Sequence, residues 1–171
     1  MKKISWVLFD LGGVVLTVEQ VRIFEGLAKL TGQAAESISC SLRAAKPFWD
    51  HLVVAEYSPR QLASEVNRAL DSKLTEEQVV GAFNSELGST ISSTADIIPA
   101  LRRRVSVGCL SNTNSIHWDC MLSSYHFMQH FDRRFASQLL GCAKPSEEIY
   151  HRVVKHLQVA PGEILFFDDK V

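Results

Sequence analysis

Residues 4–13 (ISWVLFDLGG) decide the class of fold. The first six are nearly all apolar and rich in β-forming side chains, which is typical of a strand buried on both faces of a parallel sheet. Asp10 ends the apolar run, and the two glycines that follow shortly after it let the backbone turn tightly. The segment therefore predicts a buried strand with an acidic residue at its carboxyl end.

Two later segments show the same pattern. Residues 105–110 (VSVGCL) lead into a serine–asparagine pair, and residues 164–167 (ILFF) lead into two aspartates. A weaker strand candidate covers residues 134–137, and helical patterns over residues 94–104 and 146–157 separate the strands. Strand, helix and strand at this spacing indicate βαβ units, and therefore an α/β fold with a parallel sheet.

Residues 16–90 are different, because their pattern is nearly all helical and contains no convincing strand. The tetrapeptides SPRQ and TEEQ within this block each place a capping hydroxyl three residues before a glutamine, which is the signature of a helix start. We therefore predict a helical cap over residues 16–90, inserted after the first strand, and a core built from residues 1–15 and 91–171.

The composition excludes several classes of protein. Lysine and arginine total 18 and aspartate and glutamate 19, for a net charge of −1, whereas a protein that binds a nucleic-acid backbone should carry a basic excess. No apolar stretch reaches the ~18 residues that a membrane-spanning helix needs. Four cysteines without metal-binding spacing are interpreted as reduced thiols of a cytoplasmic protein: Cys40, Cys109, Cys120 and Cys142. No residue pattern decides whether the chain forms a homo-oligomer.

Acidic residues follow two of the predicted strands. Asp10 ends the first strand, and Asp168 and Asp169 end the last. Because the carboxyl ends of parallel strands lie at one edge of a sheet, these residues should meet there. Clustered carboxylates repel one another unless a cation neutralises them, and Mg²⁺ prefers oxygen ligands. Each aspartate alone is more often a turn or capping residue, but together they predict a Mg²⁺ site.

Groups that bind anions are predicted at the same edge. Ser111 offers a hydroxyl at a strand-to-helix turn, where backbone amides also favour an anion. Lys144 precedes Pro145 and a helix, and adds a point charge of the kind that binds phosphate. The pattern predicts a site for Mg²⁺ and a phosphoryl group, with a carboxylate free to attack phosphorus.

Four ordered motifs carry a resemblance to a known family. They are FDLGGV at residues 9–14, LSNTN at 110–114, the segment from AKP to IY at 143–150, and FFDD at 166–169. With these motifs the sequence resembles the haloacid dehalogenase superfamily of hydrolases, and more closely its sugar-phosphatase-like branch, which includes glucose-1-phosphate phosphatases. The resemblance implies a Rossmann-like, three-layer core with a helical cap.

The resemblance also implies roles for single residues. Asp10 would be the nucleophile that forms an aspartyl-phosphate. The phosphoryl oxygens would be held by Ser111, Asn112 and Lys144. Mg²⁺ would be held by Asp10, the carbonyl of Gly12, and Asp169. Asp168 would support these ligands from outside the direct ligand set. The implied reaction is Mg²⁺-dependent hydrolysis of a small phosphorylated metabolite, with a sugar phosphate as one candidate.

Two features depart from the family pattern. Gly12 stands where many of these phosphatases carry a second aspartate that acts as general acid and base, so simple alkyl phosphates should turn over slowly. The chain stops at Val171, whereas relatives continue with a helix and a final strand, so we expect the sequence to be C-terminally truncated.

Residues of the cap would determine which substrate is bound. The candidates for its inner face are Phe48, Trp49, His51 and Tyr57, although packing within the cap is the favoured interpretation of the aromatic residues. Three histidines raise the alternative of a zinc site, which is not favoured because no convincing ligand pattern accompanies them: His117, His126 and His130.

Two other functions stay open at this point. A 2-haloacid dehalogenase also uses an aspartate, to displace halide from carbon, but it needs no metal, so Asp168 and Asp169 argue against it. A catalytically silent scaffold that only binds partners would explain Gly12 and the early end of the chain. The joint presence of a candidate nucleophile, phosphate ligands and metal ligands argues for an enzyme.

Overall fold

The computed structural model describes residues 3–170. Its strands are β1 (Trp6–Phe9), β2 (Leu16–Val18), β3 (Leu87–Thr90), β4 (Ser106–Ser111), β5 (Arg133–Ala136) and β6 (Ile164–Phe167). Its α-helices are α1 (Val21–Thr31), α2 (Ala35–Ala44), α3 (Lys46–Leu52), α4 (Pro59–Leu70), α5 (Glu76–Asn84), α6 (Ser92–Ala95), α7 (Ile98–Arg102), α8 (Ser115–Ser124), α9 (Ser137–Leu140) and α10 (Glu147–Leu157). Short 3-10 turns cover His126–His130 and Pro161–Glu163.

Four strands form a parallel sheet in the order β5-β4-β1-β6. β1 lies in the interior of the sheet, where Phe9 pairs with Cys109 on one side and with Phe167 on the other. The predicted α/β fold with a parallel sheet is therefore confirmed. An almost continuous apolar run suits this interior position because both faces of the strand are covered.

Helix boundaries agree less well with the sequence. The single helix predicted over residues 94–104 is two short helices, α6 and α7, and Pro99 lies in the first turn of the second. Proline has no N–H for the backbone bond of a continuing helix, so the helix is interrupted before it. The two predicted capping boxes are present at the starts of α4 and α5.

A two-stranded antiparallel ribbon corrects the prediction that residues 16–90 contain no strand. β2 and β3 pair with Leu16 opposite Thr90 and Val18 opposite Leu87, so they stand at the two ends of this block. Strands of three and four residues are too short to show a period of two in the sequence. The chain thus enters and leaves the helices α1 to α5 through one ribbon.

Apolar side chains of β1 alternate between the two sides of the sheet. Val7 and Phe9 join a core with residues of α7 and α8, whereas Leu8 joins another with residues of α10. Helices therefore cover both faces, which gives the three-layer arrangement. A third core lies among α1, α2, α4 and α5. The division into a cap and a core at the residues given above stays a prediction, which this separate helical core favours.

None of the helices that the structure describes combines the length and the apolar composition needed to span a bilayer.

Candidate active site

A cavity of about 650 Å³ lies at the carboxyl edge of the parallel sheet. Its walls include every residue predicted to bind phosphate or metal: Asp10, Gly12, Ser111, Asn112, Lys144, Asp168 and Asp169. β1, β4 and β6 end at this edge and place most of these residues there, whereas Lys144 lies in the loop between α9 and α10. Residues from the two ends of the chain thus share one site.

Asp10 is fixed directly after β1. Its backbone N–H donates to the carbonyl of Phe167 at 2.8 Å, and its Oδ1 accepts a hydrogen bond from the backbone N–H of Leu11 at 2.7 Å. Only 8% of the residue is exposed. Burial raises the pKa of Asp10, although the neighbouring Lys144 and the Leu11 amide oppose the rise. The carboxylate is thus positioned, with its second oxygen, Oδ2, beside the ammonium group of Lys144.

Lys144 links the acidic residues of the site. Its Nζ lies 2.8 Å from Oδ2 of Asp10 and 2.6 Å from Oδ2 of Asp168, and 5.2 Å from the ring centroid of Phe166. The lysine side chain is only 9% exposed. A buried cation between two carboxylates offsets their mutual repulsion, and it would do the same for an approaching phosphoryl group.

Asn112 positions the segment that carries Lys144. Its Nδ2 donates to the backbone carbonyl of Lys144 at 2.8 Å, and its Oδ1 accepts from the backbone N–H of Lys144 at 2.8 Å. Both ends of the side-chain amide are therefore used within the protein. The implied contact of Asn112 with phosphoryl oxygens stays a prediction, and the structure adds a positioning role that the sequence did not reveal.

Three carboxylates could hold a cation. Ligand oxygens of Asp10, Asp168 and Asp169 all lie within 4.8 Å of one another. Burial raises the pKa of Asp168, but hydrogen bonds from Lys144 Nζ and from the backbone N–H of Lys170 outweigh it, so this pKa lies below its ordinary value. An all-oxygen donor set of this kind fits a hard divalent cation such as Mg²⁺.

Gly13 makes room for Asp169. Its φ is +76°, and a Cβ atom at this position would lie 2.5 Å from Oδ2 of Asp169. Both the backbone conformation and the close approach therefore require glycine. The sequence suggested a tight turn here, but not that the turn exists beside a candidate metal ligand.

We expect Gly13→Ala to weaken Mg²⁺ binding by about 10- to 100-fold, because the added methyl group displaces Asp169. Gly32→Ala is the matched control: Gly32 has a φ of +72°, but a Cβ there meets nothing within 4 Å. Both variants should lose about 1–3 kcal/mol of stability from backbone strain. Calorimetric titration with Mg²⁺ separates them, and equal affinities would refute the role of Asp169.

The four cap candidates are not among the residues that line this cavity, so their part in substrate choice stays a prediction, and the packing favoured for the aromatic ones agrees with their positions. Phe48 is buried, and its ring centroid lies 5.2 Å from that of Trp49 and 5.4 Å from that of Tyr57. These aromatic residues pack in the helical core together with Leu52 of α3. His51 is exposed in the last turn of α3.

His117 lies in the cavity wall but is not arranged as a metal ligand. Its Nε2 lies 3.0 Å from the carbonyl of Phe83, and its Nδ1 lies 3.1 Å from Nδ2 of Asn114. A carbonyl only accepts, so Nε2 carries the proton and Nδ1 accepts from the asparagine. His126 and His130 contact each other, with ring centroids 5.1 Å apart, away from the cavity walls.

Sequence reasoning missed Glu86 in the cavity wall, and it missed Asn114, the residue that holds His117 in that wall. Asn114 caps α8 and holds His117 three residues later through its backbone and its ring, a spacing that the sequence displays. Glu86 also lines the cavity, immediately before β3. No sequence signal pointed to it, because β3 itself was not predicted.

The family model for haloacid dehalogenase-like hydrolases matches residues 4–171, and the chain belongs to this family of hydrolases. Among curated relatives, it is similar to the D-ribitol-5-phosphate phosphatase of Bacteroides thetaiotaomicron, at 25% identity over 169 residues that cover 95% of this chain and 82% of that protein.

Solved structures agree with this family assignment. A haloacid dehalogenase family enzyme of Bacteroides thetaiotaomicron superposes with a TM-score of 0.85 at 26% identity, covering 99% of this chain and 86% of that one. Another crystal structure of that enzyme, aligned at 24% identity with a TM-score of 0.83 over 98% of this chain and 85% of that one, is a complex with magnesium and inorganic phosphate. The L-2-haloacid dehalogenase of Xanthobacter autotrophicus shares the fold at a TM-score of 0.65, with 18% identity, over 95% of this chain and 69% of that one.

Proposed function

We propose that this hydrolase is a Mg²⁺-dependent phosphatase that acts on a small phosphorylated metabolite through an aspartyl-phosphate intermediate. The observation that carries the proposal is the position of Lys144 Nζ, within 2.8 Å of Asp10 and 2.6 Å of Asp168, beside the third carboxylate of Asp169. Phosphoryl transfer needs this combination of nucleophile, cation and metal ligands. The phosphatase and the magnesium–phosphate complex among the relatives support it.

In this mechanism Asp10 attacks phosphorus. A bond forms from its carboxylate oxygen to phosphorus while the bond to the leaving oxygen breaks, and water then hydrolyses the aspartyl-phosphate to inorganic phosphate and restores the carboxylate. Lys144 and Ser111 would hold phosphoryl oxygens, and Asp10, the Gly12 carbonyl and Asp169 would hold Mg²⁺. When bound, Mg²⁺ would neutralise charge on the phosphoryl group.

Gly12 gives the reaction no general acid, so the leaving oxygen takes its proton from solvent. We expect Gly12→Asp to accelerate hydrolysis of alkyl phosphates by up to about 10²-fold, and to leave aryl phosphates little changed, because aryl leaving groups need no proton. A Cβ at residue 12 would meet only Cγ2 of Val18, at 3.1 Å, and Val18 is 43% exposed and free to shift. Steady-state kinetics on both substrate types test this, and an unchanged alkyl rate with Mg²⁺ still bound would contradict it.

The test of the function is phosphate release from p-nitrophenyl phosphate and from a panel of sugar and polyol phosphates, with Mg²⁺ and with the chelator EDTA. We expect hydrolysis only with Mg²⁺, and none by Asp10→Asn. Lack of hydrolysis under every condition would overturn the proposal and favour a binding scaffold. Chloride release from a 2-haloacid without Mg²⁺ would favour a dehalogenase instead.

A further inference from the structure

Glu86 presents a largely buried carboxylate to the cavity. It lies between α5 and β3, and its backbone is held at both ends: its N–H donates to the carbonyl of Phe83 at 3.1 Å, and its carbonyl accepts from the N–H of Glu19 at 2.9 Å. Its side chain is only 15% exposed and lines the cavity wall. A mobile glutamate at the surface would have neither a backbone held on both sides nor a largely buried side chain.

The carboxylate of Glu86 accepts no hydrogen bond from any backbone or side-chain donor that the structure describes. The ring of His117 comes within 3.7 Å, too far for a hydrogen bond, and its Nε2 proton is already donated to the Phe83 carbonyl. Burial also lowers the pKa of His117, which keeps the ring neutral. The histidine therefore does not neutralise Glu86.

A largely buried acceptor without a donor is unfavourable, and a bound ligand can correct it. The same cavity is also lined by apolar side chains: Leu16, Val18, Leu87 and Met121. A carbon chain can contact these side chains while its hydroxyl groups donate to Glu86. A ligand with a second negative charge would instead meet an unpaired carboxylate.

We propose that Glu86 selects the leaving group of the substrate: its carboxylate accepts hydrogen bonds from the hydroxyls of an uncharged, polyhydroxylated leaving group and rejects leaving groups that carry an acidic function. The inference rests on the proposed phosphatase function. It narrows the substrate class to phosphates of neutral sugars or polyols, and it makes Glu86 a specificity-determining residue.

Three substrates of equal carbon number test the proposal: a pentitol phosphate, n-pentyl phosphate, and the corresponding phosphorylated pentonic acid. We expect wild-type kcat/KM to be highest for the pentitol phosphate. Glu86→Leu should lower kcat/KM for the pentitol phosphate by about tenfold or more and leave kcat/KM for n-pentyl phosphate unchanged. Only the hydroxyl groups of the pentitol donate hydrogen bonds to the carboxylate. Glu86→Gln keeps the shape without the charge, and should raise kcat/KM for the acidic substrate by about tenfold.

Glu25→Gln, at an exposed position of α1, is the matched control and should change none of these ratios. Hydrolysis of p-nitrophenyl phosphate reports separately on the catalytic groups. If wild type and both Glu86 variants hydrolyse it but show the same substrate preferences, Glu86 does not select the substrate and the proposed function stands. If wild type hydrolyses no phosphate ester with Mg²⁺, both proposals fail. Should Glu86→Leu not fold, the charge effect of Glu86→Gln decides.

Discussion

Asp10→Asn is expected to lower kcat by about 10³-fold or more, the largest loss from any single substitution in this chain. The amide has the shape of the carboxylate and can still accept the hydrogen bond from Leu11 through its oxygen, so the fold should survive. It has no negative oxygen to attack phosphorus, and no aspartyl-phosphate can form. The substitution thus abolishes nucleophilic attack and leaves the fold intact.

Asp119→Asn, at an exposed position of α8, is the control for the same chemical change outside the cavity, and should keep full activity. Acid-quenched wild-type enzyme should carry one phosphate on the peptide that contains Asp10, detectable by mass spectrometry. Retention of wild-type turnover by Asp10→Asn, or phosphate found on a different peptide, would assign the nucleophile to another residue.

The positions of Asp10, Ser111 and Asp169 were predictable because they depend on topology alone. An apolar run that ends in an acidic residue specifies a buried strand and its carboxyl end, and parallel strands bring such ends to one edge. This reasoning needs no knowledge of side-chain packing. It therefore succeeded for β1, β4 and β6, which are the strands that carry the site.

The part of the cavity wall that the β2–β3 ribbon and Glu86 form was not predictable in the same way. β2 and β3 form only by pairing with each other across the whole helical block, and neither has enough residues for a recognisable pattern. Glu86 reaches the cavity only because this pairing places it there. Phe48 and Trp49 belong to the core of the helices α1 to α5, which is the packing role that the sequence favoured for them.

Asn112 shows a third limit of sequence reasoning. A motif states which residues occur near a site, not which atoms they contact. Both ends of the Asn112 amide bond to the backbone of Lys144, so a residue expected to touch phosphate also holds the loop that delivers the lysine. Only side-chain coordinates distinguish these two roles.

Lys144→Met should lower kcat/KM by about 10²- to 10³-fold while leaving Mg²⁺ affinity unchanged or higher. The loss follows because Asp10 and Asp168 keep their negative charges without the ammonium group that lies within 2.8 Å of both, and a phosphoryl group would then approach an uncompensated anionic site. Mg²⁺ binding should not suffer, because the lysine is a cation competing for the same carboxylates.

A large loss of activity without a loss of Mg²⁺ affinity would show that Lys144 acts in catalysis rather than only in structural support. Lys155→Met, at an exposed position of α10, changes the same side chain outside the site and should alter neither quantity. Without Mg²⁺, Lys144→Met should also melt at a lower temperature than wild type, and added Mg²⁺ should restore most of the difference, because it replaces the missing positive charge. If Lys144→Met loses Mg²⁺ binding together with activity, Lys144 only maintains the shape of the site. Its ammonium group would then have no direct part in phosphoryl transfer.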